Sequence, residues 1–211
     1  MTEPLSVFDR PNSYIGRTVP RPNARRLVEG RGRFVDDLTL PRMVHAAFVR
    51  SPHAHARIAS INVDRALGLA GVVAAWSGAD LVQHIEPWVG VLSHLKGLRS
   101  PPQPAVAVDV ARWQGEPVAM VVAASRAEAE DAAALVEVEY QELPPAADME
   151  AALDDGAVVI HQEFDSNLAW EREVAEGDVD AAFEASDAVV VERTFNFGRH
   201  TGVTLEPRST L

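Results

Sequence analysis

The segment that most constrains the fold is a strand, a helix and a second strand in immediate succession. Residues 117–124 (PVAMVVAA) form a continuous apolar run of strand length, which is typical of a strand buried on both faces. Ser125, with Glu128 three residues later, predicts a capping box that begins a helix over 126–135. Residues 136–140 then alternate apolar and charged side chains, as in a half-buried strand. This succession predicts either a βαβ unit or a tight α+β layer.

Shorter elements are predicted on both sides of this segment. Upstream, the pattern predicts strands over 43–50, 56–61 and 72–76, a short helix that Asn62 or Asp64 caps and that ends by Leu69, and an irregular loop over 81–104. Downstream, Leu143-Pro144-Pro145 marks a boundary, followed by a helical turn over 149–153, a helix over 179–186 that Asp178 or Gly177 starts, and a strand over 188–197. Residues 1–24, rich in Pro and Arg, are predicted to be an extended arm.

Composition excludes several classes of function. The 211 residues contain no cysteine, which removes disulfides, thiolate metal sites and iron–sulfur clusters from this chain. No apolar run is long enough to span a membrane, and no secretory signal is visible, so a cytoplasmic location is expected.

The charge is distributed unevenly along the chain. Of the net −12, residues 115–192 carry 21 acidic side chains against two arginines. Such an asymmetry suits docking to a complementary partner, although acidic runs more often lie on solvated faces. The negative total, with a single lysine at Lys96, argues against nucleic-acid binding.

Two histidines and two aspartates are the local candidates for a site. His53 and His55 would point to one face of a strand and could supply two ligands to a metal ion, but no third ligand is nearby. The alternative role for these histidines is to tie down a loop by hydrogen bonds. Asp36 and Asp37, as adjacent residues, fit a turn in which an Asp carboxylate accepts backbone N–H groups better than an acid–base pair.

Eight motifs in register resemble a known family. In chain order they are Gly32–Leu38, Ala47–Ile58 (AFVRSPHAHARI), Gly71–Val73, Gly78–Leu81, Gly115–Ala119 (GEPVA), Ala129–Tyr140, Gly177–Phe183 (GDVDAAF) and Leu205–Arg208 (LEPR). Together these resemble the large, molybdenum-binding subunit of the xanthine dehydrogenase, aldehyde oxidase and aerobic carbon monoxide dehydrogenase family.

The resemblance implies a fold and a division into domains. The fold class it implies is α+β, with an α/β hammerhead domain over 25–145 after the arm of residues 1–24. Residues 146–211 would be the start of the first molybdopterin-binding domain.

The resemblance also implies cofactors, partners and a role. The complete subunit would bind a molybdenum–molybdopterin cofactor and hydroxylate aldehydes or heterocycles, or oxidise carbon monoxide. Iron–sulfur centres and FAD would lie on partner subunits or domains. In the family, the glycine-rich segment over the metal and the catalytic Glu follow the Glu206-Pro207-Arg208 turn, so no catalytic or metal-binding residue is assigned to this chain.

Glu206 and Arg208 are the residues closest in sequence to the family's active site. Glu206 could hydrogen-bond near the pterin, and the alternative is a structural ion pair with Arg208 or Arg199. The chain is therefore expected to be a scaffold segment of the large subunit, catalytically incomplete alone. The alternative is a stand-alone non-catalytic subunit or binding module of a split molybdenum hydroxylase. Trp88, in the loop over 81–104, is the aromatic residue expected to take part in an interface.

Overall fold

The computed structural model describes residues 14, 16–185, 187–198, 200–204 and 209–210. Its contacts divide the chain into two units, one of Met1–Pro41 with Thr194–Leu211 and one of Arg42–Arg193. All strands found in the described residues belong to the second unit, and the candidate site lies there as well.

The chain contains short helices and short strands. The labelled elements of the described residues, in chain order, are α1 (Ala24–Val28), β1 (His45–Arg50), β2 (Ala56–Asn62), α2 (Asp64–Leu67), β3 (Val72–Ser77), α3 (Gly78–Leu81), β4 (Val110–Ala111), β5 (Pro117–Ala123), α4 (Arg126–Ala133), β6 (Glu137–Glu142) and α5 (Val179–Glu184). Single 3₁₀ turns occur at Val35–Asp37 and Ala151–Leu153.

Strand β5 is the centre of the first three-stranded sheet. It pairs antiparallel with β1 on one side and with β3 on the other, so that Met120 lies between Phe48 and Trp76. Helix α4 packs on this sheet, and Val121 joins Ala75 and Ala132 in a buried cluster. The central position explains why the sequence of β5 is apolar throughout, since both of its edges are paired and most of its side chains are buried.

The second sheet has the order β4-β2-β6, also antiparallel. Its apolar side chains Ile58, Val138 and Tyr140 pack on a second buried cluster, which contains Ala111 and Val118. Because Val118 belongs to β5, the same strand contributes to both cores.

The prediction of a βαβ unit is wrong, and the alternative α+β layer is the one found. β5 and β6 flank helix α4 but lie in different sheets, and all the ladders in the described residues are antiparallel. The order of elements is the same in both architectures, so the choice depends on long-range strand pairing.

The start of α4 differs slightly from the predicted capping box. The Ser125 hydroxyl accepts the Glu128 N–H at 3.3 Å, as predicted. The Glu128 carboxylate, however, accepts the Ser125 hydroxyl at 2.8 Å. The complete two-way motif is instead found at α3, where Ser77 and Asp80 exchange both hydrogen bonds.

Asp178 accepts the Ala181 N–H at 3.0 Å and begins α5, as predicted. The predicted cap of α2 is wrong, because the N-cap residue is Val63 and no side chain caps the helix. Asn62 accepts the Asp64 N–H at 2.9 Å ahead of the helix. Helix α1, which periodicity did not predict, is a further five-residue element. The predicted arm of residues 1–24 lies largely outside the described residues.

The predicted strand over 188–197 is wrong. Residues 187–198, which the structure describes, contain no strand, and the apolar side chains of Val189 and Phe195 are 89% and 77% exposed. The alternating pattern is present, but a strand also needs a neighbour for its backbone hydrogen bonds. None of the described strands pairs with this segment.

The irregular chain after β6 is held by side chains that bond to backbone groups. Asn167 donates to the carbonyls of Ala152 and Val158 and accepts the Ile160 N–H, at 2.8–3.0 Å. Arg99, in the loop between α3 and β4, donates to the Leu168 carbonyl. These bonds fix the path of the segment that carries His161.

A glycine substitution tests the tight contact between α3 and the loop that precedes β4. A Cβ atom at Gly78 would lie 2.0 Å from the carbonyl oxygen of Ala107, so Gly78→Ala forces two backbone segments apart. We expect a loss of about 3 kcal/mol in the free energy of unfolding, measured by urea denaturation.

The matched control is Gly68→Ala, at the end of α2, where the added Cβ would be 3.5 Å from its nearest neighbour. This change should alter stability by less than about 1 kcal/mol. Equal stability of the two variants would contradict the close approach at Gly78.

Candidate functional site

A cavity of about 320 Å³ lies in the second unit, at the end of β5 that begins with Pro117. Its size falls within the range of small-molecule sites. The polar and aromatic side chains that line it are those of Arg50, Gln103, Arg112, Trp113, Glu116 and His161.

The turn between β4 and β5 forms one wall of this cavity. The Glu116 carboxylate accepts the backbone N–H of Arg112, which closes the turn. Gly115 has φ of +92°, a left-handed conformation that glycine adopts without strain. The Gly115 carbonyl accepts the Arg50 guanidinium at 2.8 Å, so the turn is attached to the end of β1.

The charged groups of this turn are partly withdrawn from water. Burial raises the pKa of the Glu116 carboxyl, and the N–H and positive charge of Arg112 act in the opposite direction. The Arg112 Nη1 atom donates to the Val110 carbonyl at 3.2 Å. Its Nε atom is buried, with no hydrogen-bond acceptor among the described residues.

His161 enters the cavity from the irregular segment after β6. Burial lowers the pKa of its imidazole, as does the positive charge of Arg112, and Glu163 acts against both. The Nδ1 atom lies 3.5 Å from Glu163 Oε1, which is longer than a normal hydrogen bond. The ring is therefore neutral at pH 7, and it can be a donor or an acceptor according to its tautomer.

His55 ties down a loop by a hydrogen bond of its imidazole, the alternative that the sequence left open for both histidines, whereas the His53 Nδ1 atom lies 3.5 Å from Glu142 Oε1. The His55 Nδ1 atom lies 2.7 Å from the Pro144 carbonyl, and the His53 ring meets Tyr140 edge-on at 4.9 Å. The Ser51 hydroxyl bonds to the backbone of His53. Among the described residues, no group of three or more His, Cys, Asp or Glu side chains could hold a metal ion.

A family model for the aldehyde oxidase and xanthine dehydrogenase a/b hammerhead domain matches residues 29–144, more than half of the chain. The chain belongs to the aldehyde oxidase and xanthine dehydrogenase family. The matched range includes both sheets, the turn between β4 and β5 and most of the cavity wall.

Similar proteins of the family are large subunits of molybdenum hydroxylases. The chain is 37% identical over 214 residues to the nicotine 6-hydroxylase large subunit of Paenarthrobacter nicotinovorans, covering 97% of this chain and 26% of that protein. It is 31% identical to the nicotinate dehydrogenase large molybdopterin subunit of Eubacterium barkeri, covering 92% and 43%. Carbon monoxide dehydrogenase and xanthine dehydrogenase subunits are also similar.

Solved structures of the family agree with this assignment. The crystal structure of quinoline 2-oxidoreductase from Pseudomonas putida 86 is 45% identical, with a TM-score of 0.67, and the match covers 73% of this chain and 19% of that chain. The chain therefore spans about a quarter or less of the length of the nicotine and quinoline enzymes' subunits. It corresponds to their amino-terminal region and is incomplete relative to them.

The structure tests the predictions for some of the remaining candidate residues and not for others. The Asp37 carboxylate accepts the Phe34 N–H at 3.0 Å, which is the predicted turn role of the Asp36-Asp37 pair. Glu206, Arg208 and Arg199 lie outside the described residues, so their assignment near a pterin or in an ion pair stays a prediction. No helix among the described residues is long and apolar enough to cross a membrane.

Sequence reasoning did not single out Arg112 and His161. Glu116 was noted within the GEPVA motif, but as part of a resemblance and not as a site residue. The signal that could have drawn attention to Arg112 is its position at the start of the turn that Glu116 closes. His161 is 45 residues beyond Glu116 in an irregular segment, and its position depends on hydrogen bonds such as those of Asn167 and Arg99.

The buried imidazole predicts a dependence of stability on pH. The folded-state pKa of His161 is lowered from its ordinary value of 6.5, so protonation favours the unfolded chain. Its contribution to stability is present above pH 6.5 and is lost as the pH falls through the folded-state value. The stability advantage of the wild type over His161→Gln should therefore shrink on acidification, as measured by urea unfolding at several pH values.

The control is His84→Gln, an exposed histidine in the loop after α3. The His161→Gln difference is compared with the difference that this variant shows at each pH. A His161→Gln difference that stays constant over the pH range would contradict the lowered pKa of this imidazole.

Proposed function

We propose that this chain is the hammerhead-bearing scaffold segment of a molybdenum hydroxylase large subunit. The observation that carries the proposal is the two-sheet unit around β5, which resembles the corresponding part of quinoline 2-oxidoreductase at high sequence identity. In this proposal, residues 25–145 form the hammerhead domain and residues 146–211 begin the first molybdopterin-binding domain.

The molybdenum–molybdopterin cofactor would be bound by the complete subunit. Relatives named as molybdopterin or molybdenum-binding subunits support this part of the proposal. The described residues offer neither a metal-ligand cluster nor an assigned pterin contact, so no chemical step is attributed to them. In this proposal the described residues have a structural role, in which the hammerhead domain packs against the domains that carry the cofactor.

The remaining molybdenum-binding domains, an iron–sulfur subunit and a flavin subunit are the proposed partners. A relative is named as the gamma subunit of a dehydrogenase complex, which supports assembly with other chains. Large apolar side chains at the surface fit such packing, among them Trp88, which is 64% exposed, and the aligned Phe48 and Trp76. The cytoplasmic location predicted from the sequence stays a prediction.

We propose an aromatic nitrogen heterocycle as the substrate class of the complete enzyme. Nicotine, nicotinate and quinoline, which appear in the names of similar proteins, are all aromatic nitrogen heterocycles. The reaction would be hydroxylation of the ring at carbon. Carbon monoxide dehydrogenase large chains are similar as well, so an assay must compare a nitrogen heterocycle with carbon monoxide as the substrate.

The proposal predicts the mass and metal content of the native protein. Protein captured from its source with an antibody against residues 42–193 should be about four times as long as this chain, since the chain covers 26% of the nicotine enzyme's subunit. It should contain molybdenum by elemental analysis and should reduce an electron-accepting dye with quinoline faster than with carbon monoxide. The 211-residue chain expressed alone should lack both molybdenum and this activity.

The possible outcomes separate the two functions that the sequence allowed. A native chain with a mass of 22.8 kDa and no molybdenum would contradict the proposal and would support a stand-alone subunit or binding module. A long, molybdenum-containing protein that oxidises carbon monoxide and not quinoline would contradict only the substrate class.

A further inference from the structure

Arg112 places its guanidinium group on the lining of the cavity. An arginine side chain is always protonated, so its Nε atom carries a hydrogen. This atom is buried and bonds to none of the described residues, although Nη1 is satisfied by the Val110 carbonyl. The buried Nε is closed to a ligand in the cavity, so a ligand would reach this guanidinium through its remaining N–H groups.

The balance of charge in the cavity favours an anion. Two guanidinium groups, those of Arg50 and Arg112, line the cavity together with one carboxyl group, that of Glu116. Glu116 is already engaged by the backbone N–H of Arg112. His161 is neutral at pH 7, because burial and Arg112 both lower its pKa. The lining therefore carries one positive charge in excess, which a single anionic group would neutralise.

The rest of the lining is apolar and would suit the body of an organic anion. Pro102, Pro104 and Pro117 contribute rigid rings, and the Trp113 side chain is 53% exposed beside them. A volume of about 320 Å³ is large enough for a ring-sized group as well as its charged end. Inorganic anions would leave this apolar part of the wall without a contact.

We propose that the cavity is a binding site for one carboxylate group, with Arg112 as its principal donor. The planar guanidinium suits a carboxylate because two N–H groups can bond to its two oxygens. His161 and Gln103 lie on the same lining and can supply further polar contacts. The carboxylate can belong to a small organic acid or to an aspartate or glutamate side chain of another polypeptide segment.

Titration of the 211-residue chain with benzoate, after circular dichroism and a cooperative urea transition have shown that it folds alone, tests this site by calorimetry and by ligand-observed NMR. Benzoate should bind, whereas benzamide, which has the same shape and no charge, should bind about tenfold more weakly or not at all. Arg112→Gln should also weaken benzoate binding by about tenfold or more, because it removes a charged donor. Arg57→Gln, an exposed arginine of β2 outside the cavity lining, is the matched control and should bind as the wild type does.

Arg50→Gln keeps the test decisive if Arg112→Gln does not fold. Arg50 is exposed at the end of β1, so its removal should weaken benzoate binding without unfolding the chain, as circular dichroism would verify.

A comparison of benzoate with N-acetylglutamate amide distinguishes the two sources of the carboxylate. Tighter binding of benzoate indicates a small acid, and tighter binding of the glutamate derivative indicates a side chain. The proposal is overturned if neither probe binds, if benzamide binds as well as benzoate, or if the folded cavity variants bind benzoate as the wild type does.

Discussion

Burial of strand β5 is the constraint on which the second unit depends. The strand is hydrogen-bonded on both edges, and two of its side chains, Val118 and Val121, belong to different buried clusters. Val121 packs with helix α4 and the first sheet, while Val118 packs with the side chains of the second sheet. Since both side chains are fully buried, a polar group or a shift of register at β5 would disturb the two cores together.

The candidate site is a consequence of how this strand begins. Pro117 cannot donate a backbone hydrogen bond, and the turn before it is closed by the Glu116 carboxylate and attached to β1 by Arg50. The turn holds Arg112 in a position where part of its guanidinium is buried. The antiparallel scaffold thus places charged groups beside an apolar wall.

Membership of the family and the geometry of the cavity describe different levels of function. The family relationship concerns a subunit about four times as long as this chain, whose chemistry would belong to the complete assembly. The cavity belongs to the described residues themselves and can be tested on the chain alone. The side chains that line the cavity come mainly from the turn between β4 and β5, from the proline-rich loop before β4 and from the segment that Asn167 holds in place.

The sequence by itself determined the elements whose signals are local. The apolar run of β5, the Ser125 cap of α4 and the aspartate-capped helix at Asp178 were all readable, because each depends on residues within one or two turns of chain. The tertiary structure alone decided that β5 and β6 lie in different antiparallel sheets, that residues 188–197 form no strand, and that His161 and Arg112 line the same cavity. These outcomes depend on which distant segment supplies the partner for a backbone edge or a buried charge, and such partners leave no periodic trace in the sequence.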